Sequence, residues 1–213
     1  METEIVCTLI QAAGTVVAAL GTAIIARVMI QKDIKPIFQS YSDKSYDLSD
    51  ILGRARHNIV IMGASGYRIL KEYGSVIEKK LNRGVSLYYL FLNEQQLLAM
   101  ERYRHGGLTA ADRNIYAEVK EILGRWREKF GKQLQVREFS QFMTAAYVGV
   151  DIPFGKERLG YSSDSVIQVV VYQYGNSAKD SPLTRLTPKR DKRHFEGTID
   201  SMAKMWSDAK EIC

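Results

Sequence analysis

The chain has 213 residues, 46% hydrophobic and 25% charged, a mix that suits one folded domain with a real core and excludes a disordered chain. Its net charge of +6 is uneven: residues 1–26 hold Glu2 and Glu4 and no Lys or Arg, leaving 30 basic against 22 acidic residues in the remainder. That excess favours anionic partners (lipid headgroups, nucleotides or nucleic acid), while Cys7 and Cys213 are too few for a disulfide framework or a cysteine metal site and fit a reducing compartment.

The first predicted element is a membrane helix. Ile5 to Ala26 carries no charge over 22 positions; as a helix it would be about 33 Å long, against a hydrocarbon core of about 30 Å. Glu2 and Glu4 precede it and Arg27, Lys32 and Lys35 follow it, so the positive-inside rule puts the N-terminus outside and the remainder in the cytoplasm, a single-pass inner-membrane topology. Thr8, Gln11, Thr15, Ala18 and Thr22 share one face of this helix. The Gln11 amide would need a partner in lipid, so this stripe is expected to form a homo-oligomeric interface or to line a pore. The resulting boundaries are a membrane helix over 1–32, a connector over 33–45 and a cytoplasmic domain over 46–213.

From residue 46 the pattern is that of an alternating α/β domain. "YDLSDILGRARH" reads as a short helix with Leu48, Ile51, Leu52 and Ala55 on one face and His57 at its end, leading into the buried strand "NIVIMG". The turn "GASG", Gly63 to Gly66, opens a helix with Ile69, Leu70, Val76, Ile77 and Leu81 inward; "VSLYYLFLN" follows as a strand parallel to the first. His105 is placed in the turn "RHGG". A long helix after Thr109 turns Ile115, Val119, Ile122, Leu123, Trp126 and Phe130 inward. "QLQVREF", "TAAYVGVD" and "SVIQVVVYQYG" read as strands. The basic loop "RLTPKRDKRH" then leads to a last helix with Phe195, Ile199, Met202 and Trp206 facing the core.

Four stretches, "ILGRARHNIVIMGASG", "IEKKLNRGVSLYYLFLN", "LQVREFSQFMTAAYVGVD" and "PLTRLTPKRDKRHFEGTIDSMAKMWSDAKEI", in their order and spacing resemble the phospholipase D-like superfamily in single-copy form. The resemblance implies a mixed-sheet α/β sandwich behind the membrane helix. Active members use a His-x-Lys and a following acid, the imidazole attacking phosphorus and the ammonium stabilising the phosphoryl charge. Aligning Asp151 with that acid puts Thr144 at the histidine and Ala146 at the lysine. The resemblance therefore carries no hydrolase activity, and no catalytic residue, metal or cofactor is expected. The plan of one span and a small sensor domain is similar to prokaryotic anti-phage membrane effectors.

Two candidate binding regions remain. Gly63, Ser65 and Arg68, at the turn between a strand and a helix, could hold an anion on backbone amides, although a plain tight turn explains the same residues. Arg185, Lys189, Arg190, Lys192 and Arg193 form a basic loop suited to anionic lipid. The expected function is a non-catalytic antiviral effector that oligomerises and depolarises the membrane when a nucleotide second messenger or an activating immune-system protein binds. Its alternatives are a phosphodiesterase or phospholipase using a displaced residue such as His194 with Lys192, or a membrane-anchored nucleic-acid-binding adaptor, nucleic acid being the lesser expectation among the partners.

Overall fold

The computed structural model describes residues 39–40, 47–105, 110–155, 162–176 and 180–212. Every described residue belongs to one compact unit, Phe38–Cys213. Its elements in chain order are β1 (Gln39–Ser40), α1 (Leu48–Arg54), β2 (Asn58–Gly63), α2 (Tyr67–Leu81), β3 (Ser86–Leu92), α3 (Glu94–His105), α4 (Ala110–Phe130), β4 (Leu134–Phe139), β5 (Ala145–Val150), β6 (Val166–Val171), β7 (Pro182–Leu186), α5 (Lys192–Asp208) and β8 (Lys210–Glu211). A 3-10 turn, Gly131–Gln133, joins α4 to β4.

The strands form one mixed sheet in the order β1-β7-β6-β5-β2-β3-β4-β8. β2, β3 and β4 run parallel; β5 lies antiparallel to β2, and β6 and β7 continue antiparallel beyond it. Alternation along β2 and β3 feeds two cores, because successive side chains point to opposite faces. Ile59, Ile61, Leu87, Tyr89 and Phe91 meet α1, α2 and α4; Val60, Met62, Tyr88, Leu90 and Leu92 meet α3 and α5. On the second face Tyr88, Phe154 and Trp206 pack edge to face, with centroids 5.3 to 5.6 Å apart.

Asp151 ties the two halves of the sheet together. It is a non-glycine residue with φ 52° just past β5. Its Oδ1 accepts the backbone N–H groups of Arg56 (3.0 Å), His57 (2.7 Å) and Asn58 (3.1 Å), and its Oδ2 also accepts from Arg56 at 3.0 Å. The next residue is held as well. The Asn58 side-chain amide donates to the Ile152 carbonyl at 2.8 Å and accepts from the Ile152 amide at 3.2 Å. The turn from α1 into β2 is thus fixed by a carboxylate more than ninety residues away.

Several expectations change here. The sequence reading had no helix between β3 and the long helix; α3 fills that place, with Leu97 and Met100 fully buried, and His105 is its last residue. His57 lies past the end of α1. "QLQVREF" and "TAAYVGVD" are consecutive in sequence, but β2 and β3 stand between them in the sheet. Part of the supposed basic loop is β7. The fold class also needs correcting: a mixed sheet covered by helices on both faces is seen, and among the described residues no helix is long and apolar enough to cross a membrane. The expected span over Ile5–Ala26, with Thr8, Gln11, Thr15, Ala18 and Thr22, lies outside the described residues.

Removing the Asp151 clamp strands several amides at once. Asp151→Ala is expected to cost about 2–3 kcal/mol and Asp151→Asn, which keeps one acceptor oxygen, about half as much. Urea unfolding of the two variants beside the parent protein checks the order; equal stability of all three would show the clamp to be dispensable.

Candidate functional sites at the two ends of the sheet

The sheet register sorts the functional candidates into two groups. Gly63 ends β2, while Ala146 is at the start of β5, paired with Val170 near the end of β6. These positions share one end of the sheet. Asn58 pairs with Ser86, and the Val150–Val166 and Ile167–Leu186 pairs lie level with the start of β2. The turn after β7 is therefore at the opposite end.

At the first end lies a cleft of about 610 Å³, floored by Ile61, Val148, Gln168 and Val170 and walled by the Gly63–Arg68 turn, Tyr73, Arg104 and Tyr172. The turn is tightly braced. The Ala64 amide donates to the Tyr172 hydroxyl (2.8 Å), the Tyr89 hydroxyl donates to the Ser65 carbonyl (2.7 Å), and the Tyr67 amide donates to Ser65 Oγ (3.3 Å). Burial pushes the Tyr89 phenol well above its ordinary value, with Tyr172 adding to the shift, so the group stays a neutral donor. Gly66 has φ 65°, and a Cβ there would overlap the Tyr89 hydroxyl. Only glycine fits without strain.

Two ion pairs border the cleft. Arg68 and Glu72 approach to 3.8 Å at its half-exposed rim, a pair worth little in solvent. Arg104 and Glu101 meet at 3.2 Å with both side chains buried, and the guanidinium lies 5.3 Å from the centroid of the Tyr172 ring. The Arg104 Nε has no hydrogen-bond partner. The sequence placed Gly63, Ser65 and Arg68 here and missed Arg104, because the α3 helix that carries it was not foreseen. Ala146, aligned with a catalytic lysine, lines this cleft.

The opposite end is basic. Of the five cations expected there, Arg185 sits on β7, where its Nε donates to Gln168 Oε1 and its Nη2 to the Asp47 carbonyl, both at 3.4 Å. Arg190 is tied to Asp191 at 2.9 Å and to the Arg185 carbonyl. These two arginines shape the turn. Lys189, Lys192 and Arg193 are exposed. Lys189 and Lys192 border a shallow depression with Ser162, Ser163 and Pro188. Lys192 and Arg193 begin α5, whose N-cap Asp191 makes no capping bond to the helix because its carboxylate takes the Thr187 amide. That helix end is open to an anion.

Other exposed cations converge on the same end from distant parts of the chain. Arg54 and Arg56 flank the turn into β2, Lys79 and Arg83 lie in the last turn of α2 and the turn into β3, and Lys132 precedes β4. None stood out in sequence, since each is one charge in an ordinary turn; the parallel strands bring those turns together. His194 is exposed in the first turn of α5. It is thus at the far end of the sheet from Thr144 and Ala146, and the displaced pairing of His194 with Lys192 does not approach the cleft.

No family model matches the chain, and no curated protein matches it. Among solved structures it is similar to TrmBL2, described as an archaeal chromatin protein with a novel mode of DNA binding; the TM-score is 0.51 at 12% sequence identity. The likeness is one of fold. It covers 95% of this chain and 66% of TrmBL2, so the chain spans just under two thirds of that protein's length. The phospholipase D-like assignment is corrected accordingly. Its four stretches record an order of helices and strands that a mixed α/β domain supplies without that ancestry, and the motif that would have made them specific was missing. With it go the similarity to anti-phage effectors, the membrane-depolarising function and the inner-membrane placement. The described residues hold no membrane-crossing helix, and the solved neighbour is a chromatin protein.

The Gly66 geometry gives a direct check. Gly66→Ala is expected to cost at least about 3 kcal/mol, since strain at positive φ adds to the clash with Tyr89. Thermal unfolding should fall by several degrees, and restoring room with Tyr89→Phe should recover only part of the loss. An unchanged melting temperature would rule the geometry out.

Proposed function

We propose that this domain binds nucleic acid through its phosphate backbone, using the basic end of the sheet. The observation that carries the reading is the gathering of Arg54, Arg56, Lys79, Arg83, Lys132, Lys189, Lys192 and Arg193 at one end of the fold from four segments of the chain, 54–56, 79–83, 132 and 189–193. Phosphate contacts of this kind set affinity and orientation without reading sequence. The uncapped N-terminus of α5, with Lys189, Lys192 and the Ser162 hydroxyl beside it, offers one phosphate a dipole, two cations and a hydroxyl. The fold likeness to a chromatin protein described as binding DNA supports duplex DNA as the first substrate to try.

In this reading the domain is a binding module. Thr144 and Ala146 carry neither an imidazole nor an ammonium.

Fluorescence anisotropy with a labelled mixed-sequence duplex tests this proposal. Affinity should fall linearly on a log–log plot against salt, with a slope of about −4.5 for some five phosphate contacts. The triple variant Lys189→Ala, Lys192→Ala, Arg193→Ala should bind at least tenfold more weakly and flatten the slope by about 3. Salt-independent binding, or a triple variant as tight as the parent, would overturn the assignment.

A further inference from the structure

The cleft at the other end of the sheet has features that nucleic-acid binding does not use. An arginine carries five N–H donors. Arg104, 7% exposed, engages one of them with Glu101, and its Nε has no partner at all. A buried donor left in that state is destabilising unless a ligand satisfies it. The same residue lines the cleft together with the turn that opens α2. α2 has 15 residues and no side-chain cap from its N-cap residue Gly66, so its positive end also faces a site where an anion would be stabilised.

We infer that this cleft binds a phosphate monoester of about mononucleotide size. The phosphoryl group is held between the Arg104 guanidinium and the N-terminal turn of α2, and the organic body lies on the apolar part of the floor. A phosphoryl group suits the site better than a neutral polar group because its three terminal oxygens accept from a guanidinium and from helix amides on different sides at once. The formal charges of Arg68, Glu72, Glu101 and Arg104 cancel, so selectivity comes from unspent donors and the helix end, not from net charge. That part, Ile61, Val148 and Val170, rewards an apolar or flat body over bare phosphate. At about 610 Å³ the cleft falls within the usual range for small-molecule sites. Ala146 leaves this space open, where a longer side chain would fill it.

Isothermal titration of the full chain with adenosine 5′-monophosphate, adenosine and inorganic phosphate tests the assignment. Adenosine 5′-monophosphate should bind at least tenfold more tightly than either of the others. Its affinity should drop at least tenfold in Arg104→Lys, which keeps the charge and loses the fork. Because Arg104 also serves a buried pair, Ala146→Leu provides the second variant: it should block binding while leaving the denaturation midpoint within error. The triple variant of Lys189, Lys192 and Arg193 should bind the nucleotide as well as the parent does, which separates this site from the basic end. No binding of adenosine 5′-monophosphate, equal binding of adenosine, or full binding by Ala146→Leu would each overturn the proposal.

Discussion

Burial of β2 and β3 on both faces governs everything else in this domain. Every residue of β2 is buried, and β3 is buried from Leu87 onward. Strands enclosed by helices on both sides can hold no exposed chemistry along their length, so polar and charged groups collect where strands end. One end gathers the turns that enter the parallel strands, with their surplus of Lys and Arg. The other gathers the turn into α2, the Arg104–Glu101 pair and a mostly apolar floor. A basic surface and an enclosed cleft are thus consequences of one buried sheet, and its length keeps them apart.

Asp151 shows how a residue with a catalytic look can be structural. It occupies the place of an acid in a motif whose histidine and lysine are missing, and its carboxylate is spent on the Arg56, His57 and Asn58 amides. The Asn58–Ile152 pair beside it completes the fastening between β2 and β5. Holding a left-handed backbone at a non-glycine residue costs of order 1–3 kcal/mol, and the shared amides offset it.

Much of the fold was legible because its strands and long helices are strongly patterned. The stretch 58–63 was read as the strand that is observed, and Ile69, Leu70, Ile77, Leu81, Val119, Leu123, Trp126, Phe195, Ile199, Met202 and Trp206 were read as core and are buried. α3 escaped because its buried Leu97 and Met100 sit among Glu, Gln and Arg with no broad apolar stripe. β7 escaped because Pro182 and Arg185 disguise a strand as a loop. The cleft was half legible: Gly63, Ser65 and Arg68 follow from a turn between a strand and a helix, while Arg104 comes from an element the pattern did not reveal. The basic end was legible only as one loop, since the register that joins Arg56, Arg83 and Lys132 to Lys189 is set by strand pairing. Family resemblance misled because helix and strand order is common property among α/β domains.

Amide hydrogen exchange of the full chain, with and without saturating mixed-sequence duplex DNA, tests the division of the sheet into two ends most directly. Slowed exchange is expected over 54–57, 82–85 and 188–194, with residues 63–68 at the cleft unchanged. Protection at 63–68 with none at the basic end, or none anywhere at saturation, would contradict it.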